Sequence, residues 1–191
     1  MDFLRKIIRV AIVLVVIVSL ARYYILDEAY DKKYEDIVEK VATKYEIDSN
    51  LIYAIIKTES GFNKDAKSGA GAIGLMQIMP GTAKEVSKNI GLVEFDEDML
   101  YEPEVNIEIG TSYYKTLLDK YENKELALIA YNAGQGNVDK WINDGVITDQ
   151  TSYFNLPYKE TTIYWQKVMS NYTIYNYLYY NIDNGLKSVL L

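Results

Sequence analysis

The chain of 191 residues contains no cysteine and no histidine. The absence of cysteine excludes disulfide bonds and thiolate nucleophiles. The absence of histidine excludes a Ser-His-Asp triad and the common zinc sites that depend on imidazole ligands. Any chemistry in this chain must therefore use carboxylates, hydroxyls, amides, lysine or the backbone, and we expect neither a metal ion nor a cofactor.

Positive charge is also scarce, because 20 lysines and arginines face 27 acidic residues and the net charge is −7. Four of the basic residues lie near the N-terminus, at Arg5, Lys6, Arg9 and Arg22, so the rest of the chain is more acidic still. Such a body repels phosphate backbones, and we expect no nucleic-acid partner. An anionic polymer would have to be held by short-range contacts in a groove.

The N-terminal segment is almost purely aliphatic from residue 7 to residue 20, apart from Arg9 and Ser19. Basic residues precede this run, which is typical of an export signal or a single membrane anchor. Positive charge at the N-terminus predicts a cytoplasmic end and an exported body. β-Branched residues that continue almost to Ala21 favour a retained, single-pass transmembrane helix, whereas cleavage after Ala21 would give a secreted protein.

The remainder of the chain carries helical signals and no strong strand pattern. Apolar residues recur at three- and four-residue spacing in residues 30–45, 103–117 and 157–179. Residues 61–75 are rich in glycine and predict a long ordered loop instead. Thr82 is expected to cap the short helix that follows, which ends near Gly91, and Pro103 to open the next helix. We therefore predict residues 1–27 as an anchor or signal segment, followed by one all-α domain over residues 28–191.

One carboxylate occupies an unusual position. In a helix, Glu59 shares a face with Ile52, Ile55 and Ile56. Burial on an apolar face raises the pKa of a carboxyl group, and the negative end of the helix dipole acts in the same direction. A carboxylic acid that stays protonated near neutral pH can donate a proton. The alternative is a helix-end glutamate that bends out to solvent, and this segment alone does not separate the two.

Three motifs now stand in order along the chain: ESGFN at residues 59–63, SGAGAIGLMQIMP at residues 68–80 and AYNAG at residues 130–134. Together they resemble the soluble lytic transglycosylase family, whose fold is similar to that of goose-type lysozyme. The resemblance extends over roughly residues 35 to 180. A fourth family motif is matched by PYKETTIY at residues 157–164, except that Thr162 stands where the family has arginine.

The resemblance implies a lysozyme-like helical domain that cleaves the β-1,4 bond between N-acetylmuramic acid and N-acetylglucosamine in peptidoglycan. It implies that Glu59 is the catalytic residue and that residues 28–191 form the catalytic domain. Ordinary glycosidases use two carboxylates, whereas this chain offers one that is clearly positioned. We therefore expect Glu59 to act first as acid and then as base, with a 1,6-anhydro sugar as product and no water consumed.

The resemblance also implies a set of substrate-binding residues: Ser60, Ser68, Gln77, Met79, Tyr131, Asn132, Glu160 and Tyr164. A glutamine amide at position 77 can hold an acetamido group through one donor and one acceptor. Tyr164 is expected to orient Glu59 through its hydroxyl group. Threonine at position 162 affects an expected contact to the peptide or carboxylate of the substrate and leaves the central chemistry unchanged.

Alternative functions stay open on the sequence alone. A hydrolytic muramidase of the same fold would use water in place of the sugar hydroxyl. A non-catalytic glycan-binding module would not need a buried acid, and a tethered assembly protein would use Tyr172, Tyr175 and Tyr179 to bind a partner. The leading prediction is a monomer that contacts glycan strands and, through its N-terminal helix, the cell membrane, with its catalytic domain on the extracytoplasmic face.

Overall fold

A computed structural model describes residues 2–24, 29–92 and 94–190 of the chain. The contacts divide the chain into two units, Met1–Lys33 and Tyr34–Leu191. Each unit contains its own secondary-structure elements.

The first unit consists mainly of one helix, α1 (Asp2–Tyr24), whose aliphatic side chains are half or more exposed. Within the described part of the chain, no helix combines the length and the apolar character that a membrane crossing requires. The predicted transmembrane helix is therefore not confirmed. Residues 25–27 of the predicted anchor segment lie outside the described residues.

The regular secondary structure of the described part of the second unit is helical, as predicted. Its helices are α2 (Glu35–Tyr45), α3 (Ser49–Glu59), α4 (Pro80–Asn89), α5 (Pro103–Tyr121), α6 (Lys124–Ala133), α7 (Gln135–Asn143) and α8 (Lys159–Leu190). Two short 3₁₀-helices cover Glu97–Tyr101 and Gln150–Asn155. Extended pairing in the described residues is limited to the isolated bridges between Lys67 and Ile73 and between Ile73 and Ile78.

The central helix is α3, because all six residues from Leu51 to Ile56 are buried. A helix that is apolar on every side has to be surrounded by other elements, and α3 packs against both α2 and α8. Each fully buried aliphatic side chain contributes about 1.5–3 kcal/mol to this packing. Tyr53 stacks on Tyr175 of α8, with the ring centroids 5.5 Å apart.

Both ends of α3 are held by polar side chains. Asp48 caps the N-terminus by accepting a hydrogen bond from the backbone N–H of Asn50 at 2.9 Å. Near the C-terminus, Asn171 of α8 donates its side-chain amide to the hydroxyl of Thr58 at 3.0 Å. These contacts fix the position of the last turn of α3, which ends at Glu59.

The glycine-rich stretch after α3 is an ordered loop, as predicted, and it leads into α4. Pro80 is the first residue of α4, where a missing N–H is tolerated, and Met79 precedes it. The sequence pattern instead suggested Thr82 as the helix cap, which is wrong because Thr82 lies inside α4. The difference places Met79, the last residue of the loop, directly at the start of a helix.

Candidate active site

The Glu59 side chain lies at the C-terminal end of α3, where the chain enters the loop. The residue is partly exposed, but its carboxyl group is packed among enough protein atoms that desolvation raises its pKa from 4.5 to about 7. The position matches the sequence-based expectation of a carboxyl group on the apolar face. A group with this pKa is substantially protonated at neutral pH and can both donate and accept a proton.

Two tyrosines from different helices lie near the Glu59 carboxyl group. Burial raises the pKa of Tyr131 on α6 and of Tyr164 on α8 well above 10, and the charge of Glu59 raises both further. Both hydroxyl groups therefore stay protonated. Among the described residues, the buried Tyr164 hydroxyl has no partner at ordinary hydrogen-bond distance. Its interaction with Glu59 lowers the pKa of the carboxyl group, against the larger effect of desolvation.

The loop from Ile73 to Met79 is attached to the surrounding helices through its own backbone. The Ser60 hydroxyl, just beyond α3, donates to the carbonyl of Leu75 at 2.8 Å. The Tyr131 hydroxyl, from α6, donates to the carbonyl of Met76 at 3.0 Å. The loop is therefore fixed relative to both Glu59 and Tyr131.

Gln77 has a left-handed backbone with φ of 47°, which is uncommon for a residue other than glycine. Its side-chain Nε2 donates to the carbonyl of Gly74 at 3.0 Å and to that of Ala66 at 3.2 Å. Both amide hydrogens are therefore used within the loop. This corrects the expectation that Gln77 offers a donor and an acceptor to a ligand, because only its carbonyl oxygen is left to accept.

A cleft of about 240 Å³ lies beside this loop. It is lined by Gln77, Ile78, Met79, Thr82, Tyr113, Tyr131, Asn132, Ala133 and Gly134. Four of the predicted substrate-binding residues thus meet in one place: Gln77, Met79, Tyr131 and Asn132. Met79 is 44% exposed, so it is a wall of the cleft rather than part of the core. The Asn132 side chain accepts a hydrogen bond from the Thr161 hydroxyl at 2.8 Å.

The other predicted site residues, including Glu59 and Tyr164, are not among those that line this cleft, and Glu59 is linked to it through its interaction with Tyr131. Ser60 uses its hydroxyl on the loop carbonyl of Leu75, and the Ser68 hydroxyl accepts from the backbone N–H of Ala72 at 2.9 Å. Glu160 is exposed in the first turn of α8. The hydroxyl groups of the two serines therefore have partners within the protein, and substrate contact by Glu160 stays a prediction.

Tyr113 is a cleft residue that the sequence analysis did not select. Its ring lies 5.4 Å from that of Tyr131, and burial is the main cause of the raised pKa of its hydroxyl group. In the sequence it is one apolar position on the repeating face of α5. Only the packing of α5 against α6 brings Tyr113 to the cleft, and no local sequence pattern predicts that packing.

A second hollow, of about 280 Å³, lies between the end of α4 and the start of α5. Its acidic side chains are Glu102, Glu104 and Glu108. Glu104 pairs with Lys40 at 2.7 Å, and Glu108 pairs with Lys44. The hydrogen bond and the charge of Lys40 lower the pKa of Glu104 below its usual value, so this carboxyl group is not a proton donor suited to neutral pH.

The fold and the cleft together define an all-helical domain in which a desolvated carboxyl group, that of Glu59, lies near a tyrosine of the groove. Residues 36–154 match the family described as the transglycosylase SLT domain. This match covers well over half of the 191 residues, and the chain belongs to that family.

Two named relatives illustrate the similarity. The soluble lytic murein transglycosylase of Escherichia coli (strain K12) is 35% identical over 156 residues, which cover 80% of this chain and 24% of that protein. The membrane-bound lytic murein transglycosylase C of Haemophilus ducreyi is 39% identical over 138 residues, covering 67% of this chain and 36% of that protein. The chain therefore spans between a quarter and about a third of the length of these relatives.

Solved structures of lytic transglycosylases are also similar to this chain. A lytic transglycosylase Slt from Pseudomonas aeruginosa, described as an inactive glutamate-to-glutamine mutant, is 36% identical with a TM-score of 0.73, over 79% of this chain and 25% of that one. The 70 kDa soluble lytic transglycosylase of Escherichia coli is 34% identical with a TM-score of 0.72, over 78% of this chain and 25% of that one. The latter protein is also known in complex with bulgecin A.

Proposed function

We propose that this chain is a lytic transglycosylase that cleaves the β-1,4 bond between N-acetylmuramic acid and N-acetylglucosamine in peptidoglycan. The observation that carries the proposal is the Glu59 carboxyl group, whose pKa is raised to about 7 near Tyr131 in the wall of the cleft. A buried acid of this kind has little use in a surface that only binds glycan. The names of the relatives give independent support.

In the first step, protonated Glu59 donates its proton to the oxygen that bridges the two sugars. The bond from that oxygen to C1 of the muramyl residue breaks, and an oxocarbenium-like centre develops at C1. The acetamido group of the same sugar stabilises this centre. Glu59 is left as a carboxylate in a desolvated position, which makes it a stronger base than a glutamate in water.

In the second step, the Glu59 carboxylate takes the proton from the C6 hydroxyl of the muramyl residue. The C6 oxygen bonds to C1, which gives a 1,6-anhydro ring and returns Glu59 to its protonated form. One carboxylate is enough because the nucleophile belongs to the substrate. An intramolecular hydroxyl has a very high effective concentration and competes well with water.

The cleft supplies the contacts that hold the sugar. Met79, Tyr113 and Tyr131 offer apolar and aromatic surface for a pyranose ring. The Gln77 carbonyl oxygen accepts a hydrogen bond from the N–H of an acetamido group, and the Asn132 amide binds a sugar oxygen or carbonyl. The Tyr164 hydroxyl orients the Glu59 carboxyl group and, because its interaction lowers the pKa of that group, assists the loss of the Glu59 proton during the first step.

Product mass tests the proposal. Purified peptidoglycan is digested with the full chain, and the fragments are analysed by mass spectrometry. We expect muramyl ends that are one water lighter than reducing ends. Reducing ends in their place would indicate a muramidase, and wall binding without any fragment release would indicate a glycan-binding module. Either result would overturn the proposal.

We also propose that α1 attaches the protein to the cell membrane, with the catalytic unit on the extracytoplasmic side. Its aliphatic side chains are exposed, and three basic residues, Arg5, Lys6 and Arg9, lie near its start. One of the relatives is named as membrane-bound. A short tether raises the local concentration of an enzyme beside its polymer, which suits an acidic protein that gains no attraction by charge.

Cell fractionation tests the attachment. We expect the full chain to sediment with membranes and to resist extraction by high salt, because apolar burial is not screened by ions. A chain without residues 2–24 should stay in the supernatant. Recovery of the full chain in the supernatant would contradict the proposal and would leave the catalytic assignment untouched.

A further inference from the structure

The structure points to a residue that shapes the active site from outside the cleft. We propose that Asn106 of α5 is a positioning residue for the 73–79 loop, and that it sets the places of Gln77 and Met79 in the cleft. The inference rests on the proposed function, because it concerns the same reaction. Asn106 itself is not among the residues that line the cleft.

The Asn106 side chain is fully buried, and its hydrogen-bonding groups are used on backbone atoms. Its Nδ2 donates to the carbonyl of Ile73 at 2.9 Å and to that of Leu100 at 2.8 Å. Its Oδ1 accepts from the backbone N–H of Met76 at 2.8 Å. Because a buried amide costs free energy unless it is satisfied, this set of partners indicates a single well-defined geometry.

These hydrogen bonds connect the start and the middle of one turn. The carbonyl of Ile73 also accepts from the backbone N–H of Ile78 at 3.0 Å, which closes the turn. Asn106 therefore fills the inside of the turn and bonds to it at Ile73 and at Met76. The loop is shaped around this side chain and not by regular secondary structure.

Gly74 shows how closely the amide and the loop fit. A β-carbon at Gly74 would lie 2.2 Å from Nδ2 of Asn106 and 2.3 Å from the carbonyl oxygen of Leu100, both far inside contact distance. The φ of Gly74 is +78°, a conformation that favours glycine. The absence of a side chain at Gly74 thus leaves the room that the Asn106 amide occupies.

Gln77, which lies within this turn, needs such support. Gln77 has a φ of 47°, and a non-glycine residue in the left-handed region persists only when its surroundings hold it there. Asn106 holds the preceding residue, Met76, by its N–H. Loss of this contact should let Gln77 and Met79 shift, although neither residue touches Asn106 by a hydrogen bond in the described structure.

The sharpest test is Asn106→Asp, which keeps the size and shape of the side chain. The carboxylate still accepts from the N–H of Met76, but it loses both donors and sets an oxygen against the carbonyls of Ile73 and Leu100. We expect kcat/KM for glycan cleavage to fall about 100-fold at pH 7, because small displacements of positioning groups cost about that much. The difference in kcat/KM between this variant and wild type should become smaller as the pH falls, because a protonated carboxyl group regains one hydrogen-bond donor.

Asn50→Asp is the matched control. Asn50 is half-buried on α3, and its amide donates to Asn176 of α8 at 2.9 Å, away from the loop. The same chemical change there should leave kcat/KM within about twofold of wild type. Circular dichroism and thermal unfolding of both variants establish that each is folded under the assay conditions.

Asn106→Ser provides a second, neutral variant in case a buried charge prevents folding. Its shorter side chain cannot reach all the groups that Asn106 bonds, so the N–H of Met76 should exchange with solvent faster, and kcat/KM should again fall. Wild-type activity in a folded Asn106→Asp or Asn106→Ser variant would overturn the inference, as would equal losses in Asn50→Asp. If the wild-type chain releases no fragments, the proposed function fails instead, and the exchange of the Met76 N–H still reports on the loop.

Discussion

Replacement of Glu59 by glutamine should lower the rate of peptidoglycan cleavage by about 10⁴-fold or more, since one residue supplies both the acid and the base. Glutamine has nearly the same size, and it keeps a polar group near Tyr131 and Tyr164. It cannot donate a proton to the bridging oxygen or accept one from the C6 hydroxyl. The expected result is therefore a folded protein that still binds glycan strands and releases almost no fragments.

The measurement is the rate of fragment release from purified wall, together with the binding of the variant to the same wall. Glu85→Gln is the matched control, because Glu85 is an exposed carboxylate on α4 and the chemical change is identical. We expect the control to cleave at the wild-type rate. A Glu59→Gln variant that keeps more than about a tenth of the wild-type rate would show that another group supplies the proton.

The raised pKa of Glu59 also predicts a large effect of pH on stability. The pKa of this carboxyl group is about 7 in the folded protein, against 4.5 as its ordinary value. The folded state thus favours the protonated form. The stability that this form contributes is complete below pH 4.5 and is lost as the pH rises through about 7. Over that window the loss amounts to about 3 kcal/mol at most.

Glu59→Gln removes this titration and should reverse the loss. The free energy of unfolding of the variant minus that of wild type should be small near pH 4 and should grow to about 2–3 kcal/mol by pH 8. Chemical denaturation at several pH values measures this difference. Glu85→Gln is measured in the same way as the control. A constant difference from pH 4 to pH 8 for Glu59→Gln would mean that Glu59 ionises as a glutamate in water does.

The sequence predicted the helical architecture well because its signals are local. The apolar run of α3 and the proline at position 103 can be recognised without a structure, and α3 and α5 lie where those signals place them. Helical spacing placed Glu59 on the face of Ile52, Ile55 and Ile56, but it did not decide between a desolvated carboxyl group and one that bends out to solvent. Thr82 was assigned as a cap because its residue type suits one, but Pro80 starts the helix two residues earlier.

The residues of the candidate site could be predicted only where they belong to a motif that resembles the family. Met79, Tyr131 and Asn132 were selected by resemblance, and the structure brings them to one cleft. Asn106 and Tyr113 were not selected, because Asn106 acts through hydrogen bonds to a loop 30 residues away and Tyr113 reaches the cleft only through the packing of α5 against α6. The hydrogen-bond partners of the Gln77 amide could not be predicted either. A residue type shows which hydrogen bonds a side chain can make, and it does not show which groups lie near it in the fold.

The central claim is that one carboxyl group stays protonated near neutral pH because protein atoms replace its water. The most direct measurement is the titration of the Glu59 side chain in the full chain by NMR of carboxyl carbons, with the signal assigned by its loss in Glu59→Gln. We predict a midpoint near pH 7. A midpoint near 4.5 would contradict the account, because the group would then be ionised before it meets its substrate.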